Sequence, residues 1–351
     1  MTHHFPDSAQ TRAMVALSAL PGVGDVTIAR QLAEYGSADA VLLRYPLAAR
    51  EAALAVADAV LAATHRIGAR ACVGTDTDYP ARLHELHDAP AVIFARGTIA
   101  AAEPPAVAIV GTRMASSYGL RVARAIATAC ARAGATVVSG LARGIDGAAH
   151  ESALAAGGRT VAVLGTGLDV FYPRSHRSLQ ENIARDGLLL SELPPGASGH
   201  SGTFPRRNRI IAALADVTVV VEAGHKSGAL ITADQAIELG RIVACVPNAI
   251  DVAGAAGSNA LLKRNAEPVL CADDVLALLD LRAAPSALPV LDDDAASCWD
   301  AIQHGAPDMA AISQVTRLNV RTVSTALSAL ELEGLVDIDA EGRVRSTIPA
   351  A

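Results

Sequence analysis

The chain has 351 residues, with 29 Lys plus Arg against 36 Asp plus Glu and a formal net charge of −7. That balance excludes binding of nucleic acid through bulk basicity, as in histone-like or protamine-like proteins, and leaves room for a local basic site. Apolar residues at 51% and charged ones at 19% exclude a disordered chain and point to a globular protein of two or three domains.

Aromatics are 3% of the sequence, so aliphatic residues must supply most of the core. The five cysteines, Cys72, Cys130, Cys245, Cys271 and Cys298, are scattered and form no C-x-x-C pair, which reads as reduced thiols in a cytoplasmic protein. The first residues show no charged stretch followed by an apolar one, and no run approaches a membrane span.

Residues 1–66 show helical spacing without strand runs and read as a small helical module. Within it, Leu20-Pro21-Gly22-Val23-Gly24 resembles a helix-hairpin-helix turn. Its backbone N–H groups either bind a phosphate or simply close a tight turn. Residues 67–282 then alternate β-branched runs with Ala-rich helices. Strands are predicted at Val107–Val110, Thr136–Ser139, Val161–Leu164, Leu188–Ser191, Val217–Val221 and Ile242–Val246. Most are apolar throughout, as parallel strands covered on both faces must be, so the fold class is α/β with a doubly wound, mostly parallel sheet. Residues 283–296 read as a linker ending in the acidic Asp292 to Asp294, and 297–351 as a winged-helix-like module of three helices and a hairpin.

Ligands of such a sheet sit at the carboxyl ends of the strands, and the loops there carry the chemistry. After the first strand come Gly111, Thr112 and Arg113, then Ser116 opening a helix, a combination suited to a phosphate. Neither a dinucleotide fingerprint nor a Walker motif is present, so no cofactor is expected, and no metal-ligand pattern surrounds His150. Ser139-Gly140 and Gly165 end the next two strands; Phe171-Tyr172 follows, either stacking on bases or making an apolar cap contact.

Phe204-Pro205-Arg206-Arg207-Asn208-Arg209 begins a helix, and three cations at a helix N-terminus oppose its dipole unless an anion is bound. This predicts a polyanionic ligand for Arg206, Arg207 and Arg209; internal carboxylates such as Glu192, Asp216 or Glu222 are expected to satisfy only one of them. Phe204 offers a face for a nucleobase. Lys226, Ser227 and Gly228 form another anion-accepting helix start.

In this order, VAIVGTR with SSYG, SGLARGIDGAAH, GTGLDVFYP, SELPPG, FPRRNRII and VVVEAGHKSGALITA closely resemble the DNA-processing protein A (DprA, or Smf) family. The resemblance implies an extended Rossmann-like domain flanked by a SAM or helix-hairpin-helix-like module and a winged-helix-like module. It implies a non-enzymatic single-stranded DNA-binding recombination mediator that protects incoming strands during natural transformation, loads the recombinase RecA and dimerises through the Rossmann-like domain. It assigns Arg113 and Arg206, Arg207, Asn208 and Arg209 to phosphates and Phe204 to a base. Gly111, Thr112, Ser116, Ser139, Gly140, Gly165, Lys226, Ser227 and Gly228 complete the expected DNA-binding set. The competing class is a nucleotide-binding enzyme of the phosphoribohydrolase type, whose PGGxGTxxE signature this sequence lacks.

Overall fold

The computed structural model describes residues 8–283, 291–332, 335–339 and 342–346. Residues 284–290 of the expected linker, together with Gly334 and Glu341 of the expected hairpin, lie outside the described residues. The chain divides into two compact units, residues 1–284 and 285–351, and each is described by itself.

The first unit opens with four helices, α1 (Ala9–Ser18), α2 (Asp25–Tyr35), α3 (Ala38–Leu42) and α4 (Leu47–Arg66). The glycine turn joins α1 to α2, with Gly22 at φ +75°, a conformation that L side chains rarely adopt. Ala13, Leu17, Ile28, Ala57 and Leu61 of these helices share one buried cluster with Val73, Phe94, Ala162 and Leu189 of the sheet. The helical module is therefore built onto the α/β body through a common core.

The sheet holds nine strands: β1 (Arg70–Val73), β2 (Val92–Gly97), β3 (Ala106–Val110), β4 (Thr136–Ser139), β5 (Thr160–Leu164), β6 (Leu188–Ser191), β7 (Val217–Val220), β8 (Ile242–Cys245) and β9 (Glu267–Pro268). Their spatial order is β1-β2-β6-β5-β4-β3-β7-β8-β9. From β6 to β9 every pairing is parallel, while β1 pairs with β2, and β2 with β6, antiparallel. The six predicted strands are present within one residue at each end. Crossover helices α5 (Ser117–Arg132), α6 (Ile145–Ala155), α7 (Arg177–Asp186), α8 (Thr203–Leu214), α9 (Gly228–Glu238), α10 (Ala256–Leu262) and α11 (Ala272–Leu278) complete the unit.

One face of the sheet is covered by α5, α6 and α11 and the other by α8 and α9, so both faces of the central strands lie in apolar cores. The chain runs from β3 outward through β4, β5 and β6 and then returns to the opposite side of β3 as β7. That reversal opens a crevice beyond the carboxyl ends of β3 and β7, the place where open α/β sheets hold ligands.

The second unit contains α12 (Asp293–Gln303), α13 (Met309–Thr316), α14 (Val320–Leu332) and the antiparallel pair β10 (Val336–Ile338) and β11 (Val344–Ser346). Cys298, Trp299, Ile312, Leu327 and Leu330 form its core. The acidic run expected in the linker belongs to this unit. Asp292 caps α12 by accepting from the Ala295 N–H at 2.8 Å, and Asp293 and Asp294 occupy the first turn, where negative charge suits the helix dipole. Among the described residues no helix is long and apolar enough to cross a membrane.

Candidate nucleic-acid interface

A cavity of about 810 Å³ fills the crevice at the end of β3 and β7. Its walls bring together Gly111, Thr112 and Arg113 after β3, Phe204, Arg207 and Asn208 of α8, and Lys226, Ser227 and Gly228 before α9. The charged groups lining it are Arg113, Arg207 and Lys226 against the single carboxylate of Asp146, so its potential is positive in a chain whose net charge is −7.

The three cations differ in freedom. Arg113 and Lys226 are exposed and make no ion pair among the described residues. The Arg113 guanidinium lies 5.6 Å from the centre of the Phe204 ring, a cation–π contact that aims it across the cavity. Arg207 is buried. Its Nη1 donates to the carbonyls of Gly140, at 2.8 Å, and Val163, and its Nε donates to Asn208 Oδ1 at 3.2 Å. Burial lowers its pKa to about 10, against the pull of Asp146, so the group stays charged at neutral pH. Asp146 accepts from the N–H groups of Gly140 and Ala142, and its own burial raises its pKa.

Asn208 links this floor to the opposite wall, donating through Nδ2 to the Gly228 carbonyl at 3.1 Å. Ser227 caps α9 by accepting from the Ala229 N–H. The Phe204 ring stands 5.0 Å from that of Tyr172, a pair that presents an aromatic surface inside a positive cavity. Tyr172 thus joins the site. Phe171 does not; it packs under the Arg177 guanidinium at 4.7 Å.

Two glycines expected to touch the ligand act behind the walls. A Cβ at Gly140 would come within 2.4 Å of the Arg207 guanidinium, and one at Gly165 within 2.6 Å of the Phe204 ring. Both are small so that the functional side chain can seat.

Four expected ligand contacts are corrected by the packing. Arg206 turns away from the cavity and donates to Asp25 at the start of α2, with Glu192 3.6 Å away. Arg209, its side chain 5% exposed, pairs with Asp88 at 2.8 Å and Glu192 at 2.6 Å. Burial works against its charge, but Glu192 and Asp88 outweigh it and raise the pKa. Internal carboxylates therefore answer two of the three arginines, and Asp216 instead pairs with Arg82. Ser116 caps α5, and the buried Glu222 occupies the same helix start, accepting from the Ser116 N–H at 3.1 Å and hydroxyl at 2.7 Å. The anion expected there is a side chain of the protein. Ser139 is fully buried and donates to the Ile109 carbonyl.

The fold and this cavity define a Rossmann-like α/β protein whose switch-point cavity combines cations with an aromatic face. The chain belongs to the DNA recombination-mediator protein A family, whose model matches residues 70–280. The DprA winged helix domain model matches residues 282–342. Protein Smf of Synechocystis is 47% identical over 221 residues, 62% of this chain, which spans about half (54%) of that protein's length. DNA processing protein DprA of Streptococcus pneumoniae is 43% identical over 202 residues, 58% of this chain and 71% of the relative. The X-ray structure of the Streptococcus pneumoniae protein superposes with a TM-score of 0.67 at 35% identity, covering 78% of this chain and 98% of that one. A structure of DNA processing protein A from Helicobacter pylori, described for its single-stranded DNA binding mode, gives 0.55 at 29% identity, with 61% and 97% covered.

Proposed function

We propose that this chain is a single-stranded DNA-binding recombination mediator that protects incoming strands during natural transformation and loads RecA onto them. The observation that carries the reading is the switch-point cavity, where Arg113, Arg207 and Lys226 face an aromatic pair. Cations take backbone phosphates, while Phe204 and Tyr172 need an unpaired base to stack on, so the site favours single strands over duplex. The Helicobacter pylori relative, described for single-stranded DNA binding, supports the same ligand.

A binding role without catalysis belongs to this proposal, as do a homodimer formed through the α/β domain and residence in the cytoplasm. Asp146, the carboxylate of the cavity, is committed to two backbone N–H groups and stands opposite Arg207.

The test is a titration of labelled single strands and duplex at two salt concentrations, with RecA filament formation followed in parallel. Single strands are expected to bind more tightly, with a modest salt slope, and to nucleate filaments faster when the protein is present. Equal affinity for duplex, or release of free base from added nucleotides, contradicts the reading.

A further inference from the structure

Arg113 also borders a second, open groove of about 320 Å³ between α5 and α6. Leu120 and Arg124 of α5 line one side, Gly147 and Glu151 of α6 the other, and His176 also borders it. The volume is at the small end of the roughly 300–1,000 Å³ typical of ligand sites.

Its charge and shape both suit a backbone that continues from the main cavity. Arg124 is exposed and, like Arg113, has no ion pair among the described residues, so two free guanidiniums face the single carboxylate of Glu151. Met114, 89% exposed, stands on the lip beside Arg113. Gly144 and Gly147 let the start of α6 lie close: a Cβ at Gly144 would meet the Thr112 carbonyl at 2.4 Å, and one at Gly147 would meet His176 at 2.7 Å. The groove and the cavity thus share Arg113 as a common wall. A guanidinium carries five N–H donors in a planar fork and can serve phosphates on two sides at once.

We propose that a bound single strand crosses Arg113 and continues into the α5–α6 groove, where Arg124 takes the next backbone phosphate and Met114 supports a base. This rests on the reading of the main cavity as the strand site. It makes Arg113 the joint between two subsites and gives the protein a footprint longer than the cavity alone.

Strands of about 4 and about 16 nucleotides, spanning the range of single-strand site sizes, separate the two subsites. In the full-length protein Arg124→Ala is expected to weaken the longer strand about threefold to tenfold and lower its salt slope by about 0.7, the share of one phosphate, while leaving the shorter strand within about twofold. Arg124→Lys should keep the slope. Arg113→Ala should weaken both lengths. An Arg124→Ala protein with wild-type affinity at both lengths, or with an equal loss at both, overturns the second subsite and leaves the main cavity standing. If Arg113→Ala changes neither length, the cavity reading itself fails.

Discussion

Arg207→Ala is expected to destabilise the α/β unit by about 3–5 kcal/mol as well as to abolish tight strand binding. The substitution leaves the Gly140 and Val163 carbonyls without their donor and Asp146 without the cation it faces, all in a buried setting. Unsatisfied buried acceptors cost about 1–3 kcal/mol each, and a stranded carboxylate costs more. In a domain whose whole stability is roughly 5–15 kcal/mol, the melting temperature should fall by on the order of 10 °C. The double variant Arg207→Met with Asp146→Asn removes both charges and should recover part of the stability without the binding. Thermal unfolding of the three proteins checks this; an Arg207→Ala protein that melts with the wild type would show that the buried fork holds nothing together. Arg207 is therefore both the floor of the cavity and part of its frame, whereas Arg113 is free to serve the ligand alone.

Acid is expected to loosen the same unit through His150. The ring is fully buried on α6, and its Nδ1 lies 2.7 Å from Thr160 Oγ1. Because Thr160 gives its own proton to the Val137 carbonyl, Nδ1 must be the donor in that pair, and Nε2 is left bare and without a partner. A second proton would sit on a buried nitrogen with no acceptor. Burial, with Arg207 and His176 adding repulsion, lowers the pKa to about 3 from 6.5. Below pH 6.5 the unfolded chain takes up a proton that the folded one refuses, so stability falls as pH falls, by up to about 1.4 kcal/mol per pH unit until pH approaches 3. Between pH 7 and pH 5 the wild type should lose about 2 kcal/mol more than His150→Asn, which keeps a donor for Thr160 and cannot be protonated. Urea midpoints at the two pH values measure the difference, and parallel losses in both proteins would remove His150 from the acid response.

Strands β3 to β8 were legible because each is covered on both faces and so reads as an unbroken apolar run. The three that escaped have physical reasons for it. β9 is two residues long, and β2 carries Arg96 and Gly97 as it leaves the core to pair antiparallel with β6. β1 is a four-residue edge strand that pairs on one side alone, with β2, and packs under the helical module. The loops that follow β3 and β7, and the start of α8, were legible as a cation-rich site because each is a short local motif opening a helix. What the sequence could not display was who answers each arginine. Arg206 meets Asp25 across 181 residues of chain, and Arg209 meets Asp88 across 121. Asp25 reaches α8 only because the helical module packs onto the α/β body, and Asp88 only because the segment before β2 folds over it. Arg206 and Arg209 are thereby spent on carboxylates of the protein, Arg207 serves both frame and cavity, and Arg113 and Lys226 are the cations left for the ligand alone.

The central claim is that a free Arg113 and its aromatic neighbours grip a single strand in a narrow positive cavity. The most direct measurement is the affinity of wild type and Arg113→Ala for one labelled single strand across a salt series, with thermal melts run on both. Arg113 is exposed and makes no ion pair among the described residues, and its contact with the Phe204 ring is worth about 0.5–1 kcal/mol, so the melts should agree within a few degrees. Losing one charged contact worth about 1.5–3 kcal/mol should weaken binding at least about tenfold at low salt and flatten the slope by about 0.7. Equal affinities and equal slopes in two equally stable proteins would contradict the account.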